Sequence, residues 1–465
     1  MPLKTLLFLV AFAAGCGGAL YSPLVGVVAY MLHYQIGPER QWWGQEISHW
    51  GIRYSFLLGL CSALSVVIHY RSLSRWKTLL TGQEWLLIGF VAVIWLSAAI
   101  GLPPEQEIDP MDYAPLKMTK VALFCLILTH VVTTPQRLDI LLWTFVVGAL
   151  FLGWQSFTAP EWMFEGVGGR LEGVGGADFS ESNALGAYLA ACLPIIGVQF
   201  VRSGWKGKLL CLASGVLATN GVILTRSRGA SLAVGGAVAL AVLMAPRSHR
   251  KIVFVGLVIA AVGAFALTDD TFWDRLSTVT ASEEERESSA QARLDVWEGS
   301  IGMFQDYWYG VGPGNFQSMI GRYAPQHVGR DAHSAYVRCY SELGIQGIVL
   351  YAALILNAFY SLMRVRRAHA TLPPAHRDTV VWASYCMTIG IGAYLLAGIT
   401  MTSTYFEAPY WFLMMPVCLQ RVADSVRSAA RDVAITVSPE RPVGVSGVHG
   451  VREFHGGTLR RGRGQ

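Results

Sequence analysis

Four ionisable side chains in this 465-residue chain belong to types that could act together on a charged substrate. They are Arg226, Arg228, Arg293 and His333. A guanidinium group offers a planar fork of donors that fits phosphate oxygens in pairs. A histidine titrates near neutral pH and can take a proton from an attacking hydroxyl group. Together, these residue types would suit a substrate that carries a diphosphate.

His333 stands immediately before an apolar run of the chain. At about 100° per residue, a helix in this run places Tyr336, Gly344 and Gly347 on the face of His333. The two glycines would let that face pack closely on a neighbouring helix. His333 could then serve as a general base, with Ser334 and Tyr336 beside it as substrate contacts. A histidine that is merely hydrogen-bonded at the membrane interface is the alternative at this point.

The composition decides which class of protein must position these residues. Hydrophobic residues make up 53% of the chain and charged residues only 14%. Soluble proteins carry about a quarter charged residues, so this chain lacks the polar surface to cover itself in water. Its eight cysteines fall mostly in apolar runs and never as Cys-x-x-Cys, which is typical of buried thiols. A soluble enzyme, a disordered protein and a disulfide-stapled secreted module are excluded.

Twelve apolar windows are long enough, or nearly so, to cross the ~30 Å hydrocarbon core of a bilayer. They lie near residues 5–33, 53–70, 85–102, 116–132, 138–157, 183–202, 208–225, 229–246, 252–268, 335–362, 380–402 and 408–422. The first window contains Pro23, where it could break into two shorter helices. We therefore predict an all-α, polytopic membrane bundle of about twelve transmembrane helices.

The charges of the loops predict how this bundle is oriented. Every second loop is basic, as cytoplasmic loops are, through Arg71, Arg75, Lys77, Arg137, Arg202, Lys206, Lys208, Arg247, Arg250, Lys251, Arg364, Arg366, Arg367 and Arg377. Two intervening loops are acidic, through Glu105, Glu107, Asp109 and Asp112 in one and Glu161, Glu165, Glu172, Asp178 and Glu181 in the other. This alternation predicts that both termini are cytoplasmic.

One large loop, residues 269–334, is predicted on the outer side of the membrane. It contains a stretch with helical apolar spacing and then the irregular glycine-rich segment 310–316. Residues 1–430, including this loop, form the predicted transmembrane domain. Residues 431–465 are polar and lack periodicity, and they predict a disordered cytoplasmic tail whose arginines could contact anionic lipid.

Arg226 and Arg228 fall at the outer end of the seventh window, where positive-inside statistics disfavour arginine. Snorkelling to lipid phosphates would also account for such residues. Two arginines against the rule, beside Gly229 that lets a backbone approach, favour an anion clamp at the outer membrane surface. Arg170 lies on the outer loop before the sixth window and is a further candidate for phosphate contact. An exposed arginine taken alone is usually solvated surface.

Other sequence motifs with known chemistry are missing. The glycines of segment 310–314 do not form a dinucleotide fingerprint, because no strand–helix–strand pattern surrounds them and Pro313 interrupts them. His-Glu-x-x-His, P-loop and Gly-x-Ser-x-Gly motifs do not occur. The acidic run Glu283–Glu287 could attract a divalent cation, but it is more typical of a solvated helical face. We expect neither a metal nor a cofactor.

The chain resembles the O-antigen ligase and O-antigen polymerase superfamily over residues 165–350. Its ligases carry His-[Asn/Ser/Gln], nine residues and then Gly-x-x-Gly, a pattern matched here by His333, Ser334, Gly344 and Gly347. Ser227-Arg228-Gly229 resembles the arginine that follows a mid-chain span in that superfamily. Arg293, followed by the segment Gly310-Val311-Gly312-Pro313-Gly314-Asn315-Phe316, resembles its large periplasmic loop.

A subgroup within the superfamily is also similar. The segments Tyr21-Ser22-Pro23-Leu24-Val25-Gly26 and Asp331-Ala332-His333-Ser334 resemble O-glycosylation ligases found with exosortase systems. The acidic run Glu283–Glu287 and the long basic tail depart from the superfamily's pattern. These departures put the acceptor in doubt, though not the chemistry.

The resemblance implies a GT-C-type glycosyltransferase of the bacterial inner membrane that uses a glycan on undecaprenyl diphosphate and needs no metal. Arg228 and Arg293 would stabilise the charge that grows on the leaving diphosphate, and His333 would deprotonate the acceptor hydroxyl with inversion at the sugar carbon. The expected substrate contacts are Arg170, Arg226, Ser334 and Tyr336. Expected partners are the lipid-linked donor, a glycan, lipid A-core or protein acceptor, and membrane lipid, but not nucleic acid. The active site would face the periplasm.

Two alternative functions stay open. A polymerase of the same superfamily shares the chemistry and differs only in its acceptor, while the His-Ser-x9-Gly-x-x-Gly spacing favours a ligase. A solute transporter would instead place charged residues at mid-membrane and show paired half-repeats. Here the ionisable groups concentrate at the outer ends of the windows, which makes transport the less favoured hypothesis.

Overall fold

Each predicted apolar window contains a helix in the computed structural model, which describes residues 2–73, 79–104, 112–165, 169–268 and 283–437, and further helices lie between the windows. In chain order they are α1 (Leu3–Tyr21), α2 (Pro23–Ile36), α3 (Gln45–Ser48), α4 (Tyr54–Ile68), α5 (Tyr70–Leu73), α6 (Gly82–Ile100), α7 (Ala114–Val131), α8 (Pro135–Phe157), α9 (Ser182–Arg202), α10 (Trp205–Leu224), α11 (Arg228–Met244), α12 (Arg250–Leu267), α13 (Glu283–Asp306), α14 (Phe316–Ile320), α15 (Ala335–Arg367), α16 (Pro374–Ala397) and α17 (Ala408–Val437). Strands β1 (Phe164–Glu165) and β2 (Arg170–Leu171) form one antiparallel pair.

Nine helices in the described part of the chain are long and apolar enough to cross a membrane. Within lipid a helix satisfies its own backbone hydrogen bonds, which is why apolar runs of this length fold as helices there. α4 and α11 have 15 and 17 residues and fall short of the ~20 residues that a full crossing takes. The all-α, polytopic membrane bundle predicted from the sequence is therefore confirmed, with fewer full-length spans among the described helices than the twelve windows.

The first predicted window is divided into α1 and α2. α1 closes where Ser22 N donates to Gly18 O at 2.8 Å. Pro23 is the first residue of α2, a position where its missing N–H group and fixed φ cost nothing. The break that the sequence allowed at this proline is present.

Among the nine helices long and apolar enough to cross a membrane, α9 and α16 are the most buried, whereas α12 has no buried residue. Small side chains let neighbouring helices approach closely. A Cβ atom on Gly186 of α9 would lie only 2.6 Å from Cβ of Ala230 in α11. This contact packs the N-terminal part of α11 against that of α9. Arg228 is the first residue of α11, and Arg226 lies just before it.

α15 is interrupted at Gly344, which has φ 68° and ψ −166°. The predicted continuous face from His333 to Gly347 is therefore wrong, because the helix changes direction between these residues. A Cβ atom on Gly344 would lie 2.3 Å from the carbonyl carbon of Tyr309. Gly344 thus packs against an extramembrane loop and not against a neighbouring helix.

The loop that meets this interruption is the glycine-rich segment after α13. Three backbone hydrogen bonds of 3.0 Å join it to α15: Val311 N to Ser341 O, Gly312 N to Glu342 O, and Ile345 N to Trp308 O. The break in α15 frees the backbone groups that make these bonds. The loop after α13 is thereby fastened to α15, the helix that His333 precedes.

Several predictions fall partly outside the described residues. α17 continues to Val437, so the first residues of the predicted tail are helical, while residues 438–465 are not described. The same holds for residues 269–282 of the predicted large loop and for residues 74–78 and 105–111, which carry some of the charges used for orientation. The domain division and the orientation therefore stay predictions.

Candidate active site

The first turns of α11 and α15 meet at the loop 398–407, which joins α16 to α17. Ala335 N at the start of α15 donates to Gly398 O at 2.9 Å, and Thr404 Oγ1 donates to Ala335 O at 2.8 Å. A Cβ atom on Gly229, at the start of α11, would lie 2.2 Å from Oγ1 of Thr400. Because one loop contacts both helix starts, Arg228 and His333 lie at the same end of the bundle.

A capping network fixes the start of α11. Ser227 Oγ accepts a hydrogen bond from Ala230 N at 3.1 Å and donates to Asn183 Oδ1 at 2.7 Å. Arg170 donates from Nη2 to the same oxygen of Asn183, also at 2.7 Å. Asn183 in the first turn of α9 thus links the helix cap next to Arg228 to the arginine of the preceding loop. Asn183 was not predicted as a site residue, although an amide at the start of an apolar helix is visible in the sequence.

Arg226 and His333 share an unusual backbone conformation. Their φ angles are 46° and 45°, and they are the only residues other than glycine with positive φ in the described ranges. This conformation costs about 1–3 kcal/mol and persists where the surroundings enforce it, often at functional sites. Arg226 Nη1 donates to Gly169 O at 2.9 Å, so its guanidinium group supports the loop that carries Arg170.

His333 is held at the mouth of α15 by its neighbours in the chain. Its backbone N donates to Asp331 Oδ2 at 3.2 Å, and its ring Nδ1 lies 3.8 Å from that oxygen. The imidazole remains 44% exposed, which leaves it accessible to a substrate. Ser334 is buried and caps α15, because its Oγ accepts from Val337 N at 3.5 Å. Tyr336 donates its hydroxyl hydrogen to Leu395 O at 2.8 Å.

The charges of Arg170, Arg228 and Arg293 influence one another, and those of Arg170 and Arg293 act on His333. Burial lowers the pKa of Arg293, and the positive charges of Arg228 and Arg170 lower it further. Burial also lowers the pKa of His333; Asp331 opposes this effect, while Arg293 and Arg170 add to it. The imidazole is therefore biased towards its neutral form, which a general base requires.

Two carboxylates that were not predicted as site residues, Glu181 and Asp331, lie at the same place. Burial raises the pKa of Glu181, and the neighbouring charges of Asp331 and Glu172 raise it further. The charge of Arg170 opposes this rise. Glu181 and Asp331 were therefore missed as site residues, since an acidic loop residue has no sequence signal that separates it from solvated surface.

The structure thus brings together all three residues predicted as catalytic. Arg228 starts α11, Arg293 lies in α13 and His333 precedes α15, and each of these elements is distant from the others in the chain. Arg170 is linked to the start of α11, because Arg170 and Ser227 both donate to the side-chain oxygen of Asn183. The predicted substrate contacts Arg226, Ser334 and Tyr336 lie beside this group but make hydrogen bonds with the protein, so their contact with a substrate stays a prediction. In the described ranges no cluster of three or more His, Cys, Asp or Glu residues suits a metal ion.

We refer to Arg170, Arg228, Arg293 and His333 as the arginine–histidine site. Comparison with family models finds one that matches residues 213–352 and is described as O-Antigen ligase. The matched range contains Arg228, Arg293, His333 and the interruption at Gly344. A search of curated proteins finds no match. The match supports the O-antigen ligase superfamily and, in general terms, a membrane glycosyltransferase of the O-antigen ligase or polymerase type.

Proposed function

We propose that this protein transfers a glycan from undecaprenyl diphosphate to an acceptor hydroxyl at the periplasmic face of the bacterial inner membrane. The observation that carries the proposal is geometric: one loop contacts the starts of both α11 and α15, which places Arg228 at the same end of the bundle as His333, and Arg170 shares Asn183 with the cap of α11. The charges of Arg293 and Arg170 also act on His333. Like charges in a half-buried region repel one another, so this grouping is favourable when an anion lies among them. A diphosphate joined to a membrane lipid supplies such an anion next to membrane-crossing helices.

The transfer needs one base and one anion-stabilising group. As the acceptor oxygen bonds to the anomeric carbon, its proton passes to the free ring nitrogen of His333. The bond from that carbon to the diphosphate oxygen breaks, and its electron pair leaves with the lipid diphosphate. Arg228 and Arg293 stabilise the charge that grows on this leaving group more in the transition state than in the ground state. Attack opposite the leaving group inverts the sugar carbon.

These roles call for no metal ion. Fixed guanidinium groups provide the positive charge that a divalent cation would otherwise bring to a diphosphate, and each such donor is typically worth about 3–4 kcal/mol in the transition state. We therefore propose a metal-independent reaction. Arg170 contacts the donor phosphate in this scheme, as a residue of lower rank than Arg228 and Arg293.

The acceptor distinguishes a ligase from a polymerase. We favour a ligase, whose acceptor is a lipid A-core sugar or a protein hydroxyl, on the spacing of His333-Ser334 to Gly344 and Gly347. A polymerase would use a growing glycan as acceptor with the same residues.

The test uses purified protein reconstituted in liposomes with undecaprenyl-diphosphate glycan and three acceptors: lipid A-core, repeat-unit glycan and an acceptor protein. We expect transfer to lipid A-core or protein, with full activity in the presence of EDTA. His333→Ala and Arg228→Ala should abolish transfer while membrane insertion is unchanged. His327→Gln and Arg322→Ala are matched controls, because both residues lie in the same extramembrane segment outside the arginine–histidine site.

Three results would contradict the proposal in different ways. Full activity of His333→Ala removes the base assignment, and loss of activity with EDTA removes metal independence. Transfer only to repeat-unit glycan identifies a polymerase. Solute uptake into the same liposomes, without any glycan transfer, would support a transporter and overturn the proposal.

A further inference from the structure

The carboxylate of Asp331 is paired with the imidazole of His333. Its Oδ2 accepts from the backbone N of His333 at 3.2 Å and lies 3.8 Å from ring Nδ1. The same oxygen accepts a hydrogen bond from the hydroxyl of Thr402, in the loop that joins α16 to α17. A residue two positions before the base therefore contacts both its backbone and one edge of its ring.

The second oxygen of Asp331 is buried and faces a cation. Oδ1 has no hydrogen-bond partner in the structure, but it lies 3.6 Å from Nη1 of Arg338. Arg338 is one turn further along α15 and keeps only 23% of its side chain exposed. The guanidinium group of Arg338 thus supplies a counter-charge on this side of the carboxylate, while Oδ2 faces the backbone and ring of His333.

Arg338 is itself fixed by a buried anchor. Its Nε donates to Glu342 Oε1 at 3.1 Å, and Glu342 is fully buried. Tyr405 donates from its hydroxyl to Glu342 Oε2 at 2.7 Å, and Phe316 N donates to Oε1 at 3.3 Å. These contacts lead from Glu342 to Arg338, from Arg338 to Asp331, and from Asp331 to the imidazole of His333. Acidic and basic side chains therefore alternate along this series.

We propose that Asp331 is the positioning residue of the base: it holds Nδ1 of His333 as the protonated ring nitrogen, so that Nε2 carries the lone pair that receives the acceptor proton. The inference rests on the proposed function and deepens it by assigning the atom that takes the proton. A ring whose other nitrogen faces a carboxylate keeps one tautomer and one orientation. Arg338 and Glu342 act further back, by holding the carboxylate of Asp331 in place.

The proton balance of the step is simple. The O–H bond of the acceptor breaks, its proton bonds to Nε2, and its electron pair forms the new bond to the anomeric carbon. The resulting imidazolium is stabilised by the carboxylate of Asp331. The imidazolium then releases the Nε2 proton to water or to the departing diphosphate.

Several charges compete at His333, and they decide the direction of the pH effect. Asp331 raises the pKa of His333, while Arg293, Arg330 and Arg170 lower it. Asp331 in turn faces Arg338 and lies near Glu181. Removing the charge of Asp331 leaves the arginines unopposed, so the pKa of His333 must fall and the acid limb of the rate profile must move to lower pH.

The decisive comparison is between Asp331→Asn and Asp331→Glu in the full-length protein. General-base catalysis contributes about 10²- to 10⁴-fold, and we expect Asp331→Asn to lose roughly 10- to 100-fold in kcat with little change in the KM of the donor. Its acid limb should shift to lower pH. Asp331→Glu should return the acid limb towards its original pH, since the carboxylate is restored.

The chain offers a matched control in a second histidine–aspartate pair of the same segment. His327 Nε2 lies 3.0 Å from Asp295 Oδ2, and Asp295→Asn removes that contact without touching the arginine–histidine site. We expect unchanged kcat and an unchanged pH profile for this variant. An equal loss in Asp295→Asn, or an Asp331→Asn variant with unaltered kcat and acid limb, would overturn the positioning role. An Asp331→Glu variant whose acid limb stays where Asp331→Asn leaves it would also overturn it.

A readout without glycan transfer separates this inference from the proposed function. Diethyl pyrocarbonate reacts with neutral imidazole, so the pH dependence of His333 modification, followed by mass spectrometry, reports its pKa. We expect Asp331→Asn to lower the midpoint of this curve, and Asp295→Asn to leave it unchanged. If no protein transfers glycan but the midpoint still falls, the proposed function fails while the coupling stands. An unchanged midpoint in a folded Asp331→Asn protein refutes the coupling itself.

Discussion

Gly344→Ala is the substitution whose effect follows most directly from the backbone. Gly344 has φ 68° in the middle of α15, and an added Cβ atom would lie 2.3 Å from the carbonyl carbon of Tyr309 and 2.6 Å from the oxygen of Trp308. Both neighbours are backbone atoms, so no flexible side chain can move aside. The loop after α13 must shift, or the interruption in α15 must change.

The expected cost has two parts. At φ 68° and ψ −166° the backbone is in a region that essentially only glycine adopts, which costs an alanine about 1–3 kcal/mol. Displacing the loop weakens the three backbone hydrogen bonds that fasten it to α15, of which Ile345 N to Trp308 O at 3.0 Å is adjacent to the new atom. If that adjacent bond is lost, at about 0.5–1.5 kcal/mol, the total destabilisation should be about 2–4 kcal/mol.

Mixed-detergent unfolding of the purified protein measures this loss, and limited proteolysis of the loop after α13 reports where it occurs. We expect a lower unfolding midpoint and faster cleavage near residues 308–316. Gly263→Ala is the matched control, because an added Cβ atom there meets nothing within 4 Å inside α12. It should leave the midpoint unchanged or raise it slightly, since alanine favours a helix. A Gly344→Ala protein that matches the Gly263→Ala protein in both assays would refute the reasoning.

The remaining predictions concern the arginine–histidine site and the cap beside it. Arg293→Gln should lower kcat/KM by roughly 10²- to 10³-fold. Because Arg293 lowers the pKa of His333, its acid limb should move to higher pH, opposite to Asp331→Asn; a pH–rate profile that moves the other way contradicts this. Ser227→Ala removes the cap of α11 and a bond to Asn183, which should cost about 1 kcal/mol in the same unfolding assay; an unaltered midpoint contradicts it. Glycan transfer should persist after EDTA treatment, as activity measurements before and after chelation will show.

Backbone strain coincides with the candidate chemistry in this protein. The two residues other than glycine with positive φ in the described ranges are Arg226 and His333, and both were selected from their type and position in the sequence. Each of the two residues makes a hydrogen bond at this position. Arg226 Nη1 donates to Gly169 O, 57 positions earlier in the chain, and the backbone N of His333 donates to Asp331 Oδ2. Neither sequence pattern predicts this strain, because φ depends on contacts with residues elsewhere in the fold.

Some predictions from sequence failed for an identifiable reason. Gly344 and Gly347 have helical spacing from His333, so periodicity predicted one continuous face. Periodicity assumes an unbroken helix, whereas Gly344 has left-handed φ and accommodates the loop after α13. The roles of Asn183 and Asp331 were missed for a related reason. Each is an ordinary polar residue in the sequence. Asn183 acquires its role through contacts with Ser227 and Arg170, and Asp331 acquires its role through contacts with His333 and Arg338.

The sequence by itself determined the class of the protein and the positions of its helices. Apolar run length is a local property, and in lipid it leads to a helix whatever the neighbours are. Pro23 likewise marked its break without tertiary information. Only the tertiary structure decided that Arg170, Arg228, Arg293 and His333 share one region, because their meeting depends on the packing of α9 against α11 and on the loop 398–407. Those contacts join residues far apart in the chain, where no local pattern can specify distance.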